Sequence, residues 1–193
     1  MSSALMIKFL GLPVPKQIGY VHTTRMMHKV FVYGTLKRDE PNNYWLSDKK
    51  NGHSAYIGEG TTTKKYPLII ATKYNIPFLI FKPGTGNLVK GEVYQVDDAM
   101  LGKLDILEDH PNYYVRELDD INTIKDKSNE EVMFKCWVYF LKKFKPELLR
   151  RPMLESYSSL GPHGLPYMDR SKRDPYHNYK SEIKGDNEPS DSS

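Results

Sequence analysis

The sequence predicts an α+β fold in which a mostly antiparallel β-sheet, or a small β-barrel, carries flanking helices. Three observations lead to this prediction. Short apolar segments separated by turn residues recur between residues 55 and 96, at the spacing of neighbouring antiparallel strands. Residues 97–107 have helical periodicity. Two further strand-like segments, residues 113–119 and 132–141, follow that helix and close the sheet.

The first predicted strand comprises residues 30–33, because β-branched and aromatic residues favour a buried strand. Gly34 follows directly and predicts a sharp turn, at which a ligand can approach backbone N–H groups. For Tyr-Gly-Thr-Leu alone, an ordinary turn at a strand end is the simpler interpretation. The polar residues 37–43 then lead into a helix, with Pro41 in its first turn and an apolar side at residues 44–46.

The middle of the chain contains four short apolar segments, at residues 55–60, 66–72, 77–82 and 89–96. A Thr-rich connection separates the first two, and a turn rich in Pro and Gly separates the last two. The last of them alternates in polarity, as a strand with one buried face does. This series predicts antiparallel pairing and argues against a βαβ array.

The predicted helix at residues 97–107 begins at Asp97 or Asp98, either of which can cap it. Residues 121–131 then form the polar tip between the two closing strands, and residues 146–151 predict a short helix. The apolar stripe of the main helix consists of Met100, Leu101, Leu104 and Leu107.

Composition excludes several functional classes. The net charge of +4 arises near the N-terminus, since residues 1–27 carry three basic residues and no acidic one, and the remainder is close to neutral. We therefore expect no nucleic-acid partner, and no apolar run is long enough for a membrane span. Cys136, the single cysteine, lies in an apolar strand and predicts a core residue in a reducing compartment.

The chain divides into three predicted parts. Residues 1–28 form either a disordered extension or a mitochondrial targeting segment, and we favour the extension because Gly and Pro interrupt any long helix. Residues 29–169 form the domain, and the polar residues 170–193 are predicted to be a disordered tail. The expected location is cytoplasmic, with mitochondria as the alternative.

Glu108 is the carboxylate that the sequence places best for acid–base chemistry. It ends the predicted helix beside the apolar stripe, four residues after Leu104. The negative end of the helix dipole and partial desolvation both disfavour its ionised form, so we expect a raised pKa suited to a general base. The alternative is a solvated Glu at a frayed helix end, and Asp105 and Asp109 are competing carboxylates.

Ten short motifs occur in a characteristic order between residues 29 and 170. They are Tyr33-Gly34-Thr35-Leu36-Lys37-Arg38, Pro41-Asn42, Tyr66-Pro67-Leu68, Ile76-Pro77-Phe78-Leu79, Gly91-Glu92-Val93-Tyr94, Leu104-Asp105, Glu108, Pro111, Tyr114-Val115-Arg116 and Gly161-Pro162-His163-Gly164-Leu165. In these motifs the chain resembles the γ-glutamylcyclotransferase family, and within it the γ-glutamylamine cyclotransferase branch. Asp39 departs from that pattern, because the branch has Gly there, and this leaves the substrate fit near residues 37–43 open.

The resemblance implies a small mixed barrel with flanking helices and an enzyme that cyclises a γ-glutamyl amine to 5-oxoproline and releases the amine. It implies Glu108 as the catalytic acid and base. It also implies a substrate-binding loop made of Tyr33, Gly34, Thr35 and Leu36. Neither a cofactor nor a metal is expected, which agrees with the scattered histidines. The expected partner is the small-molecule substrate, with no protein partner assigned.

Five further residues are candidate supporting groups of the site: Tyr114, Arg116, Tyr139, Gly161 and His163. Arg116 is equally well explained by a structural ion pair, and Tyr139 by core packing. The segment that contains Gly161 and His163 is either a lid or a cover for the barrel end. Alternative functions are a cyclotransferase for γ-glutamyl amino acids or glutathione, and a catalytically weak interaction module.

Overall fold

A five-stranded closed barrel forms the centre of the structure, a computed structural model that describes residues 26–185. In chain order the strands are β1 (Met27–Val32), β2 (Ser54–Tyr66), β3 (Leu68–Ala71), β4 (Ile76–Leu79), β5 (Asn87–Asp97), β6 (Val115–Lys125) and β7 (Glu131–Phe140). The barrel order is β1-β5-β2-β6-β7, and β7 closes on β1 in parallel through Val30 and Trp137. The other barrel pairs are antiparallel. The predicted fold class is thus confirmed.

Two α-helices flank the barrel, α1 (Tyr44–Ser47) and α2 (Asp98–Leu107). The side chain of Asp97 accepts a hydrogen bond from the Met100 amide and caps α2, as predicted. The α2 residues Met100, Leu101 and Leu104 are buried in the same core cluster as Val30 of β1, which fixes the C-terminal end of the helix near the end of β1. Helix α1 begins three residues after Pro41, so the prediction that Pro41 lies in its first turn was wrong.

The hairpin of β3 and β4 packs beside the barrel and places β4 next to the end of β7. The Leu141 amide donates to the Leu79 carbonyl at 2.8 Å, and the Phe81 amide donates to the Leu141 carbonyl at 3.0 Å. The ring of Phe78 stacks on Tyr114, with centroids 6.0 Å apart. These contacts bring β4 to the mouth of the barrel.

Strands β2 and β6 extend into stretches that were predicted to be connections. β2 runs through the Thr-rich connection, with irregular pairing near residues 61–65, and β6 extends through residues 121–125. The reason is that alternate residues of these stretches, such as Thr62, Ile121 and Thr123, are buried, and Thr favours strands as Ile does. Cys136 is also buried, and burial raises the pKa of its thiol to about 12.

The prediction of disorder from residue 170 onward was wrong for residues 170–185. This segment contains two short 3₁₀ helices, Arg170–Lys172 and Tyr179–Glu182. Ile183 is 0% exposed, and its carbonyl accepts from the Lys145 amide at 2.9 Å. A few apolar and aromatic anchors therefore order a polar segment.

The predictions for the chain ends fall largely outside the described range. Residues 1–25 of the proposed extension and residues 186–193 of the proposed tail are not described. Met27 and His28 belong to β1, so the strand begins earlier than predicted. No helix within residues 26–185 is long and apolar enough to cross a membrane.

Candidate active site

A cavity of about 360 Å³ opens at one end of the barrel. Its wall combines the loop after β1, strand β4, the C-terminal end of α2, the buried face of β7 and residues 167–185, which we call the C-terminal segment. Its lining includes Tyr33, Gly34, Thr35, Leu36, Asn42, Pro77, Glu108, Asp109, Tyr113, Tyr114, Tyr139, Tyr167, Arg170, Arg173, Tyr179 and Lys180. The cavity is large enough for a small metabolite.

The loop after β1 leaves three backbone amides open. The carbonyls of Gly34, Thr35 and Leu36 accept hydrogen bonds from residues 37, 42 and 43. In contrast, the N–H groups of these three residues have no acceptor within the described chain. Successive unpaired amides on a cavity wall can bind a carboxylate or a developing oxyanion.

Gly34 is needed for close packing. A Cβ atom at this position would lie 3.0 Å from Pro77 Cγ on β4, which is tighter than ordinary contact. The backbone of Gly34 is not in the left-handed region, so a larger residue is disfavoured by Pro77 and not by the turn itself.

Asp39, at a position where Gly was expected from the family resemblance, adopts a φ of 61°. This is the left-handed region that glycine reaches without steric cost, and Asp tolerates it better than most residues. Asp39 therefore takes the backbone conformation that favours a glycine at this position.

Glu108 lies directly after α2 and faces the cavity. Its amide donates to the Leu104 carbonyl at 2.9 Å, and its carbonyl accepts from the Tyr114 amide at 3.3 Å. Its side chain makes no hydrogen bond or ion pair with any other described residue, although it is surrounded by protein on the inner side of an open cavity. Burial raises the pKa of Glu108 to about 7, and the positive charge of Arg170 opposes part of this rise.

The carboxylates of Asp105 and Asp109, the two competing candidates, both form hydrogen bonds or ion pairs within the protein. Asp105 accepts hydrogen bonds from Arg116 Nη1 at 2.8 and 3.0 Å and from the Tyr139 hydroxyl at 2.7 Å. Asp109 pairs with Lys180, and this hydrogen bond lowers the pKa of its carboxyl. Of the three neighbouring acids, Glu108 alone keeps its carboxylate available to a ligand.

The inner part of the cavity is lined by tyrosines. The Tyr33 hydroxyl donates to the Tyr139 carbonyl at 2.8 Å, and the Tyr114 hydroxyl lies 3.5 Å from the Pro77 carbonyl. Burial raises the pKa of both Tyr33 and Tyr114 well above its usual value, so both stay neutral. The buried Tyr113 hydroxyl has no hydrogen-bond partner among residues 26–185.

The structure thus brings Glu108, the loop residues 33–36, Tyr114 and Tyr139 together at one cavity. Arg116 lies outside the lining. It pairs with Asp105 and stacks its guanidinium over Trp137 at 4.6 Å, which favours the structural interpretation.

The candidates Gly161 and His163 also lie outside the lining. His163 Nδ1 accepts from the Leu165 amide at 3.1 Å, and its Nε2 donates to the Ser158 carbonyl at 2.7 Å. The imidazole also stacks on Tyr157. A Cβ at Gly161 would lie 3.0 Å from the His163 ring, so the pair shapes its own segment and does not reach the cavity.

The C-terminal segment supplies lining residues that were not predicted from the sequence. Tyr167, Arg170, Arg173, Tyr179 and Lys180 all line the cavity. Asn42 joins this segment to the loop after β1, because its side-chain amide donates to Thr35 Oγ1 at 2.8 Å and to the Tyr167 hydroxyl at 3.0 Å. Tyr and Arg residues recur in this part of the sequence and could have indicated a binding surface. The polar composition around them indicated disorder instead.

Several known proteins are similar to this chain in sequence or in structure. The family model described as "Gamma-glutamyl cyclotransferase, AIG2-like" matches residues 30–159. A human protein named gamma-glutamylaminecyclotransferase is 44% identical over 153 residues, covering 76% of this chain and 100% of its own length. Troponin C-akin-1 protein of Drosophila melanogaster is 46% identical over 147 residues, covering 76% and 84%. The crystal structure of an AIG2-like protein from Mus musculus, 42% identical, superposes with a TM-score of 0.71 over 76% of this chain and 99% of that one.

Proposed function

The chain belongs to the γ-glutamyl cyclotransferase, AIG2-like family, and from this membership we propose how its cavity works. Its relatives named γ-glutamylaminecyclotransferase are aligned over their whole length, which supports the same activity here. The protein is a γ-glutamylcyclotransferase that acts on γ-glutamyl amines. We infer that it converts the γ-glutamyl group to 5-oxoproline and releases the free amine.

The reaction needs no second substrate. The α-nitrogen of the glutamyl group attacks the γ-carbonyl carbon of the same molecule, which closes a five-membered ring. The bond from this carbon to the amide nitrogen then breaks. Holding the substrate folded supplies much of the rate, because the attack is intramolecular.

Two protons must move during this reaction, and one carboxylate can move both. The α-amino group is protonated at neutral pH and must lose a proton before it attacks. Glu108 accepts that proton and donates it to the departing amine nitrogen. The attacking nitrogen loses its second proton as it becomes the lactam nitrogen, and this proton leaves with the released amine, which becomes an ammonium ion. A pKa of about 7 suits both steps, since each protonation state is well populated at neutral pH.

The open amides of Gly34, Thr35 and Leu36 provide the complementary binding site. They can hold the α-carboxylate of the glutamyl group or stabilise the oxyanion that forms at the γ-carbon. The observation that carries the assignment is that these amides and an unpaired Glu108 carboxylate line the same cavity. Neutral Tyr33 and Tyr114 keep the interior uncharged around them.

Residues that could hold a resident metal ion do not cluster in the described part of the chain, where no group of three or more His, Cys, Asp or Glu has suitable positions. The steps above use only this chain's own groups.

We infer a cytoplasmic location because the single cysteine is a buried, unpaired thiol, as is usual in a reducing compartment. The mitochondrial alternative depends on the acid-free N-terminal residues, of which residues 1–25 lie outside the described range.

A substrate panel tests the assignment. Purified protein is offered γ-glutamyl-ε-lysine, γ-glutamyl-alanine and glutathione, and 5-oxoproline is measured for each. We expect fastest release from γ-glutamyl-ε-lysine. Preferential turnover of γ-glutamyl-alanine or glutathione would instead assign the enzyme to a different branch of the family. If none of the three compounds is turned over, the protein is an interaction module and not a cyclotransferase.

A further inference from the structure

The outer wall of the cavity is made by residues beyond the part of the chain that the family model matches. That match ends at residue 159, whereas Tyr167, Arg170, Arg173 and Tyr179 line the cavity from the C-terminal segment. We call these four residues the C-terminal wall. The glutamyl group, which all substrates of the family share, is assigned above to residues 33–36 and Glu108. The C-terminal wall is therefore available to the part of the substrate that varies, the leaving amine.

The C-terminal wall carries two positive charges that take part in no direct ion pair within the described residues. Within residues 26–185, neither Arg170 nor Arg173 forms an ion pair with a carboxylate. The acids around it have other partners: Asp109 pairs with Lys180, Glu182 with His177, Asp174 with Lys73, and Asp169 accepts from the Ser171 amide. Two guanidinium groups thus line the cavity, and of the two acids in its lining Asp109 is paired with Lys180 whereas Glu108 forms no ion pair within the described residues.

Arg173 is held in place but incompletely hydrogen-bonded. Its Nε donates to the Met168 carbonyl at 3.1 Å, and its guanidinium lies 5.0 Å from the ring centre of Tyr167 and 5.5 Å from that of Tyr179. Its Nη2 is buried without a partner in the described chain, as is the hydroxyl of Tyr113 on the same cavity. Buried donors are normally satisfied, so two orphaned donors on one cavity indicate a ligand that brings acceptor oxygens.

We propose that the C-terminal wall binds a carboxylate on the leaving amine and thereby selects γ-glutamyl amines that carry one. A planar guanidinium fits a carboxylate well and repels an ammonium group, so derivatives of simple diamines are disfavoured. The side chain of lysine, with its α-carboxylate at the far end, is a leaving amine of the favoured class. This selectivity presupposes the cyclotransferase activity proposed above.

Two substrates that differ by a single carboxylate test the selectivity. Lysine without its carboxylate is 1,5-diaminopentane, so γ-glutamyl-ε-lysine and γ-glutamyl-1,5-diaminopentane share every other group. We expect kcat/KM of the natural chain to favour the lysine compound by about tenfold or more, the value of one charge-assisted hydrogen bond. In Arg173→Gln this ratio falls towards one while turnover of the diamine compound is kept. Lys172→Gln, an exposed neighbour outside the cavity, serves as the matched control and keeps the ratio.

The outcomes distinguish a failure of the proposed selectivity from a failure of the cyclotransferase activity. Equal kcat/KM for both compounds in the natural chain overturns the selectivity and leaves the cyclotransferase activity intact. An equal loss on both compounds in Arg173→Gln also overturns it, because Arg173 then acts on the shared glutamyl group or on folding. Turnover of neither compound by the natural chain removes the activity and the selectivity together.

Discussion

The Glu108 carboxylate and the Arg170 guanidinium line the same cavity without forming an ion pair. Arg170 is close enough for its charge to lower the pKa of Glu108, yet burial has the larger effect and leaves that pKa at about 7. A direct salt bridge would hold the carboxylate ionised and lower its value as a proton acceptor and donor. The absence of a direct salt bridge between Glu108 and Arg170 therefore leaves Glu108 able to accept and donate protons near neutral pH.

The pH dependence of activity follows from that pKa. Glu108 must be ionised in the free enzyme to accept the first proton, so we expect kcat/KM to rise with pH through a midpoint near 7. The measurement is kcat/KM for γ-glutamyl-ε-lysine between pH 5 and 9, at constant ionic strength. A midpoint near the ordinary glutamate value of about 4.3 would show that the reacting carboxylate is not desolvated.

Replacing Arg170 should move this midpoint. Because the guanidinium lowers the pKa of Glu108, Arg170→Gln is expected to raise this pKa and to move the midpoint of the pH profile to higher pH. Arg170→Lys, which keeps the charge, is the matched control and should retain most of the natural profile. An unchanged midpoint in Arg170→Gln would mean that the two charges do not interact in solution.

Glu108 should also lower the stability of the folded protein at high pH. Its pKa is higher folded than unfolded, so the folded state binds more protons and its stability falls as pH rises from the unfolded pKa through about 7. Glu108→Gln removes this effect, and we expect it to raise the free energy of unfolding at pH 8 by about 3 kcal/mol. Urea unfolding of both proteins at pH 5 and pH 8 measures it. A gain of the same size at pH 5 would point to packing instead of charge.

Asp39 offers a test of the loop that leads away from the site. Its φ of 61° suits Gly, so Asp39→Gly should fold with a free energy of unfolding within about 1 kcal/mol of the natural chain and keep its kcat/KM. Asp39→Val places a β-branched residue in the left-handed region and is expected to cost more stability than Asp39→Gly. Thermal unfolding and substrate turnover of both variants give the answer. Equal stability of the two variants would show that the backbone adopts a different conformation in solution.

Much of this fold and part of this site could be predicted from local sequence patterns. The cap at Asp97, the apolar stripe of α2 and the alternating strands are encoded within a few residues, and the position of Glu108 beside that stripe indicated its desolvation. The Tyr33–Leu36 turn was recognisable as a binding loop only together with later motifs. Closure of the barrel depends on the parallel contact of β1 with β7, whose strands are distant in sequence.

The C-terminal wall could not be predicted from the sequence because tertiary contacts hold this part of the chain in a defined conformation. Residues 170–185 have the polar composition of a disordered segment, and they are ordered by sparse anchors such as Ile183 and the Tyr167 contact with Asn42. The ion pairs that occupy Asp105 and Asp109 are likewise made by partners from β6 and from the C-terminal segment. Sequence alone therefore left three candidate acids, and the structure leaves one of them unpaired.

The role of Glu108 is tested most directly by 5-oxoproline release from γ-glutamyl-ε-lysine in the Glu108→Gln variant. Gln keeps the size of the side chain and cannot accept or donate the proton, so we expect kcat to fall by about 100-fold or more while the protein stays folded. Asp109→Asn, the adjacent acid that pairs with Lys180, is the comparison and should lose far less activity. Turnover by Glu108→Gln at the rate of the natural chain would contradict the mechanism.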